Sequence, residues 1–277
     1  MKLSLNLNPR KIAIVLGLIA VLLALQSIYA EHVLFHILGK DSDTPPARLL
    51  TLFSISAQES VPTWYSVILF FLAASLLAWI ALTGHARNEP HGPYWTGLAL
   101  VFLYISMDKG TTIHEAASDL LRSVFKVSGI FQFGWLLLGI LLLIVVGILY
   151  VRFWWKLPGH ARILFALAAA VYVGGAAGIE GLSTRQYYLD DGKSFRYLVI
   201  SSVEETFEML GAVILIYALL EYVRQSEQGL TLQAQTRLPV EFSDVQLRWP
   251  LSLRRTAIGF AVLLLFVNGG LLLWSMA

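Results

Sequence analysis

Residues 196–223 read RYLVISSVEETFEMLGAVILIYALLEYV. At 1.5 Å per residue this run can cross about 30 Å of hydrocarbon with residues to spare. Yet Glu204, Glu205 and Glu208 stand inside it. A charge at membrane depth is costly unless it is paired or ligated, so an ionisable residue within a span is read first as functional. The stretch therefore predicts two things at once, a fold of membrane-crossing helices and a polar centre among them.

Working outward, six further stretches are long and apolar enough to span, near 11–37, 62–84, 94–120, 130–155, 161–183 and 255–276. The expectation is an all-α polytopic membrane bundle of about seven transmembrane helices, one unit over residues 1–277. Composition agrees: 57% of the residues are hydrophobic, only 14% are charged and the mean hydropathy is +0.69. Soluble domains carry roughly 25% charged residues. The first span has Lys2, Arg10 and Lys11 before it and Ala30 at a conceivable cleavage point, but Ile28 stands where signal peptidase wants a small residue, so it reads as a helix.

Lys and Arg between the spans set the orientation. With the N-terminus in the cytoplasm, twelve fall on the inner side and seven on the outer, Lys109 being counted as intramembrane. This predicts a cytoplasmic N-terminus, an extracytoplasmic C-terminus and a cytoplasmic loop over 224–254. The natural setting is a bacterial inner (cytoplasmic) membrane, with the lipid bilayer as first partner. Loop 38–61 carries Pro45-Pro46 and then apolar residues suited to the outer interface, while Trp64, Trp95, Trp154, Trp155 and Trp249 near span ends read as an aromatic belt.

Several function classes fall away. The net charge of +2, without a basic tract, gives no reason to expect a nucleic-acid partner. Zero cysteines exclude disulfides, thiolate metal sites and Fe–S clusters. Span seven has no lysine for a retinal Schiff base, no nucleophile elbow surrounds Ser201 or Ser202, and the pattern departs from histidine-rich membrane desaturases and from Glu-x-x-His ferritin-like enzymes.

What remains is a polar constellation on three spans: Asp108, Lys109, His114 and Glu115 on the third, Glu180 on the fifth, and Glu204, Glu205 and Glu208 on the sixth. Counting 1.5 Å per residue puts Asp108, Glu204 and Glu205 at similar depth, Glu208 one turn deeper and Glu180 and the His114-Glu115 pair close to the outer boundary, a graded set entering from the extracytoplasmic side. On a continuous third helix, Asp108, Thr111, Thr112, Glu115 and Asp119 form one stripe with His114 on its flank. Glu204 and Glu208 are i,i+4 neighbours whose charges repel without a cation or shared proton. Gly174, Gly175, Gly178 and Gly181 around Glu180 permit close helix approach.

Carboxylates and imidazole without thiolate suit a divalent metal such as Zn, Mn or Fe. The leading expectation is thus a metal-dependent membrane enzyme acting on a lipid-soluble or extracytoplasmic substrate. Its ligands would be His114, Glu115, Glu180, Glu204 and Glu208, with Asp108 and Glu205 as catalytic acid/base or supporting groups. Two alternatives stand beside it. The same carboxylates could relay protons or cations in a coupled transporter, although the acidic run stops at Glu208 and span six is then apolar until Glu221. Or Lys109 neutralises a glutamate of span six, and Arg185 or Arg196 pairs with Glu180 or Glu115, in a structural ion-pair network of a non-catalytic subunit. His32 and His36, one turn apart at the outer end of span one, are more distant candidates for the site. His85, His91 and His160 read as solvated groups of inner loops.

Overall fold

The computed structural model describes residues 2–4, 8–39, 43–114, 116–117, 134–190, 194–225 and 231–233. Their helices are α1 (Pro9–Val33, continued by a π-helical segment Leu34–Leu38), α2 (Pro45–Thr51), α3 (Val61–Ala86) and α4 (Gly92–Thr111). Next come α5 (Gly134–Lys156), α6 (Gly159–Val173, the π-helical segment Gly174–Ile179, then Glu180–Asp190) and α7 (Phe195–Gln225). Five helical stretches are long and apolar enough to cross a membrane: Pro9–Leu38, Val61–Ala86, Gly139–Lys156, Gly159–Tyr187 and Phe195–Gln225. The expected seventh span, 255–276, lies outside the described residues.

Helix starts follow local chemistry. The Asn8 side chain accepts from the amides of Arg10 at 3.1 Å and Lys11 at 3.3 Å, with Pro9 as the first helical residue. Ser60 Oγ accepts from Thr63 N at 3.3 Å ahead of Pro62. Two three-residue strands, β1 (Lys2–Ser4) and β2 (Thr231–Gln233), pair antiparallel. They bring the chain ahead of α1 beside the chain that follows α7.

α7 is the axis of the bundle, packed against α1, α3 and α6, while α3 runs along α4. Lipid tails are as apolar as a leucine face, so helices in a bilayer associate through close packing of small residues rather than through hydrophobic drive. The buried face of α1 obeys this, with Ala20, Ala24, Ser27 and Ala30 at spacings of three and four. Larger residues fill the centre, among them Leu69, Phe70, Leu77, Met209 and Leu219. Lipid-facing surfaces are plain on α1 (Ile14, Leu18, Leu22, Leu25) and along α5 from Ile140 to Val151.

The segment between α2 and α3 is tied to the end of α1. Ser27 Oγ accepts from the Ile55 amide at 2.8 Å, and the buried Glu31 carboxylate accepts from the hydroxyls of Ser54 and of Ser56, the latter at 2.6 Å. Leu49 and Leu52 on and after α2 are exposed, as an interfacial segment requires. Outside the spans, the Arg48 guanidinium at 2.6 Å holds the Asp43 carboxyl below the usual carboxylate range. Glu31→Ala would remove the acceptor shared by the buried Ser54 and the exposed Ser56, leaving the two hydroxyls to bond each other, at a cost of about 0.5–1.5 kcal/mol. Limited proteolysis should then cut the 52–60 segment faster than in the wild type. Unchanged protection would show that the clamp is incidental.

Three sequence expectations need correction. The third span does not run on to residue 120, because α4 ends at Thr111 and Thr112 adopts φ 50°, ψ 38°. Its polar last turn, with Asp108 and Lys109, also leaves α4 short of the apolar length of the other spans. Trp95 is not a belt residue. It is buried among Phe153, Phe165 and Tyr222, whereas Trp64 and Trp155 are exposed as anchors should be. His85 is held rather than merely solvated, its Nδ1 lying 2.6 Å from the Ala81 carbonyl. Trp249 lies outside the described residues.

Candidate functional site

The break in α4 builds the first half of the site. A left-handed conformation is uncommon for a β-branched residue, and such positions gather where the surrounding structure imposes them. Thr112 N still donates to Asp108 O at 2.7 Å, and helical bonding resumes beyond the break, Ala116 N donating to Thr112 O at 3.3 Å. The break lets Asp108 accept twice from His114: from the backbone N–H to Oδ1 at 2.9 Å and from ring Nδ1 to Oδ2 at 2.6 Å. A carboxylate can only accept, so Nδ1 carries a proton. Asp108 is 8% exposed, and its side chain serves as both cap and orienter.

Lys109, the next residue, forms the second half. Its Nζ donates to both oxygens of Glu205 at 2.8 Å and stands 2.6 Å from Glu208 Oε2. The contact with Glu208 is an ion pair rather than an aligned hydrogen bond. Glu208 is 5% exposed, so without Lys109 its charge would have no compensation in the bundle. This is the arrangement expected of the ion-pair alternative. Neither Arg185 nor Arg196 is ion-paired to Glu180 among the described residues.

α6 contributes the third wall. Its π-helical segment Gly174–Ile179, with a wider turn than an α-helix, delivers Glu180. Glu180 lies within electrostatic range of His114, Lys109 and Glu205. One turn on, the buried Ser183 donates to Glu204 Oε2 at 2.5 Å. Two glycines allow the approach of α6 and α7. A Cβ at Gly175 would meet Glu204 O at 2.9 Å, and one at Gly211 would meet Tyr172 Cβ at 2.7 Å.

The structure thus brings Asp108, His114, Glu180, Glu204, Glu205 and Glu208 into one region, and Lys109 with them. Ligand atoms of Glu204, Glu205 and Glu208 lie within 4.8 Å of one another, close enough to share a cation, a place the Lys109 ammonium already borders. His114 and Glu180 stand outside that tight triad. Glu115 lies outside the described residues, as does Asp119. His32 and His36 pack on each other at 4.8 Å and on Phe195, at the same end of the bundle but in a separate aromatic group.

Sequence reasoning missed Ser183 and Tyr172. Tyr172 lies within electrostatic range of Lys109, Glu205, Glu208 and Asp108. The π-helical segment lies between Tyr172 and Glu180, so a helical count along the sequence gave no signal for Tyr172. Below the site α7 closes: Met209, Ala212, Val213, Leu215, Ile216, Ala218, Leu219 and Leu220 are all buried and apolar.

One family model, described as Domain of unknown function (DUF8692), matches residues 13–223. The match takes in every described residue of the polar centre. No curated protein and no solved structure matches the chain.

Proposed function

The chain belongs to the DUF8692 family, and from the side chains of its polar centre we propose that it is a membrane-embedded, metal-dependent enzyme acting on a lipid-soluble or extracytoplasmic substrate. The observation that carries this reading is the Asp108–His114 pair. Metal-binding histidines commonly donate one ring N–H to a carboxylate, which fixes the ring and raises the basicity of the other nitrogen. His114 Nε2 with the carboxylates of Glu180 and Glu204 would supply one imidazole and two oxygen ligands, a set suited to Zn, Mn or Fe. Glu115 would be a further ligand. Glu208, also expected as a ligand, stands 2.6 Å from Lys109 and shares with Glu204 and Glu205 the cluster whose ligand atoms lie within 4.8 Å of one another, so it would serve as a further oxygen ligand.

The charge inventory supports a bound cation. Asp108, Glu180, Glu204, Glu205 and Glu208 face Lys109 as their only lysine or arginine partner among the described residues. Such an excess at membrane depth calls for a metal ion or for bound protons. A metal there would polarise a substrate oxygen or turn a water into a nucleophile near neutral pH. Glu205, held by Lys109, would be the residue that accepts or returns a proton during the reaction. The distribution of Lys and Arg favours a cytoplasmic N-terminus, so the centre would open to the outer half of an inner membrane.

Elemental analysis of protein purified without chelator tests the proposal. Wild type should hold about one equivalent of Zn, Mn or Fe, lost in His114→Ala and Glu204→Ala. Asp108→Asn should weaken metal affinity by about 10–100-fold, since the supporting bond changes while the ligand remains. Metal-free wild type, or metal retained in both alanine variants, would overturn the assignment. The second reading, a non-catalytic subunit with a buried ion-pair network, is favoured by the Lys109 contacts and predicts metal-free protein. A transmembrane relay has less support, because the apolar stretch of α7 from Met209 to Leu220 offers it no continuation.

A further inference from the structure

At the opposite end of α4 from Asp108, the first turn of α4 and the last turns of α5 line a half-open surface cavity of about 480 Å³, bordered by Tyr94, Arg152, Phe153, Trp155 and Lys156. Its wall is aromatic and fixed. Tyr94 stacks on Phe153 at 4.9 Å with planes 5° apart, Trp95 meets Phe153 edge-on at 4.9 Å, and Tyr150 Oη donates to the Tyr94 carbonyl at 3.2 Å.

Its rim is cationic. Arg152 and Lys156 stand one turn apart on α5, both exposed, and neither is ion-paired among the described residues. Two like charges at i,i+4 repel, and an anion between them reverses that penalty. The Arg162 guanidinium adds a third positive charge, 5.5 Å from the Trp155 ring centre. The acidic side chain of Glu221 is already engaged by Arg224 and Gln225.

The surface beyond the cavity narrows the choice of anion. From Ile140 to Val151, α5 presents exposed Leu141, Leu142, Ile144, Ile148 and Leu149, an apolar wall that ends at Arg152. A charged rim below such a wall, with exposed Trp155 at the boundary, matches an interfacial position rather than an aqueous pocket. We propose that this cavity binds the phosphate of an anionic phospholipid between Arg152 and Lys156, with its acyl chains lying along α5. Basic side chains at a membrane surface each contribute about a factor of five to the binding of an anionic lipid.

The test uses the full chain in mild detergent, titrated with phosphatidylglycerol, phosphatidylcholine or soluble glycerol phosphate, with bound ligand counted by native mass spectrometry. Wild type should retain phosphatidylglycerol, and the Arg152→Gln/Lys156→Gln double variant should bind it about thirtyfold more weakly, with phosphatidylcholine binding equal in both. The substituted side chains are exposed, so an unchanged thermal midpoint should accompany the loss. Equal affinity of wild type and variant for phosphatidylglycerol would overturn the site. Glycerol phosphate binding as tightly as the lipid would overturn the part played by the chains.

Discussion

Lys109→Met should destabilise the protein by about 3–5 kcal/mol, the range found when one partner of a buried ion pair is removed. Three carboxylate oxygens lie within 2.8 Å of the Lys109 ammonium, and its side chain is only 14% exposed. Methionine matches the length of the chain but leaves Glu205 and Glu208 without a cation, on a helix where Glu204 already adds a like charge. Thermal unfolding in detergent would report the loss. Combining Lys109→Met with Glu205→Gln and Glu208→Gln should restore most of it, because neutral amides need no counter-charge. If the single variant melts with wild type, the ion pair does not hold α4 to α7. If the triple variant is no better than the single one, the lysine stem rather than its charge is what matters.

The second large effect is steric. Gly211→Ala would place a methyl group 2.8 Å from both Cα and N of Tyr172. Those are backbone atoms, so no rotamer change relieves the clash and α6 must shift away from α7. Overpacking of this kind costs about 1–3 kcal/mol. The same displacement would move Tyr172, Glu180 and Ser183 together, since all three ride on α6. We expect Gly211→Ala to lower the melting temperature and to reduce metal occupancy, whereas Gly178→Ala, with nothing within 4 Å of the added carbon, should do neither. Equal behaviour of the two variants would mean that the close approach at Gly211 is not what positions the site.

The positions of five spans were legible because each rests on one summed property, apolar length, which a bilayer enforces independently of neighbours. The predicted 196–223 became Phe195–Gln225, and 62–84 became Val61–Ala86. The chemistry of the pairings was legible only as alternatives. Lys109 beside Asp108 pointed to neutralisation of a glutamate on span six, without saying which one. What the sequence hid depends on single backbone conformations. Nothing in Gly110-Thr111-Thr112 marks Thr112 as left-handed, since threonine is a poor choice there and the Asp108–His114 bonds impose it. The π-helical turns at 34–38 and 174–179 likewise offset any helical wheel drawn through them, which is how Ser183 escaped notice beside Glu204. The acceptor role of Glu31 was equally hidden, because it depends on serines more than twenty residues away.

The apolar length of α7 below Glu208 also has an electrical meaning. Measured along the helix, Glu205 is about 15 Å from the Phe195 end and about 30 Å from the Gln225 end. A unit charge crossing the whole membrane exchanges about 2.3 kcal/mol with each 100 mV of potential. An ion or proton reaching the centre from the Phe195 end would traverse about a third of that drop, worth about 0.8 kcal/mol per 100 mV. On the proposed reading, a step that brings a unit charge to this centre from the nearer surface would therefore change its rate about fourfold for each 100 mV across the membrane.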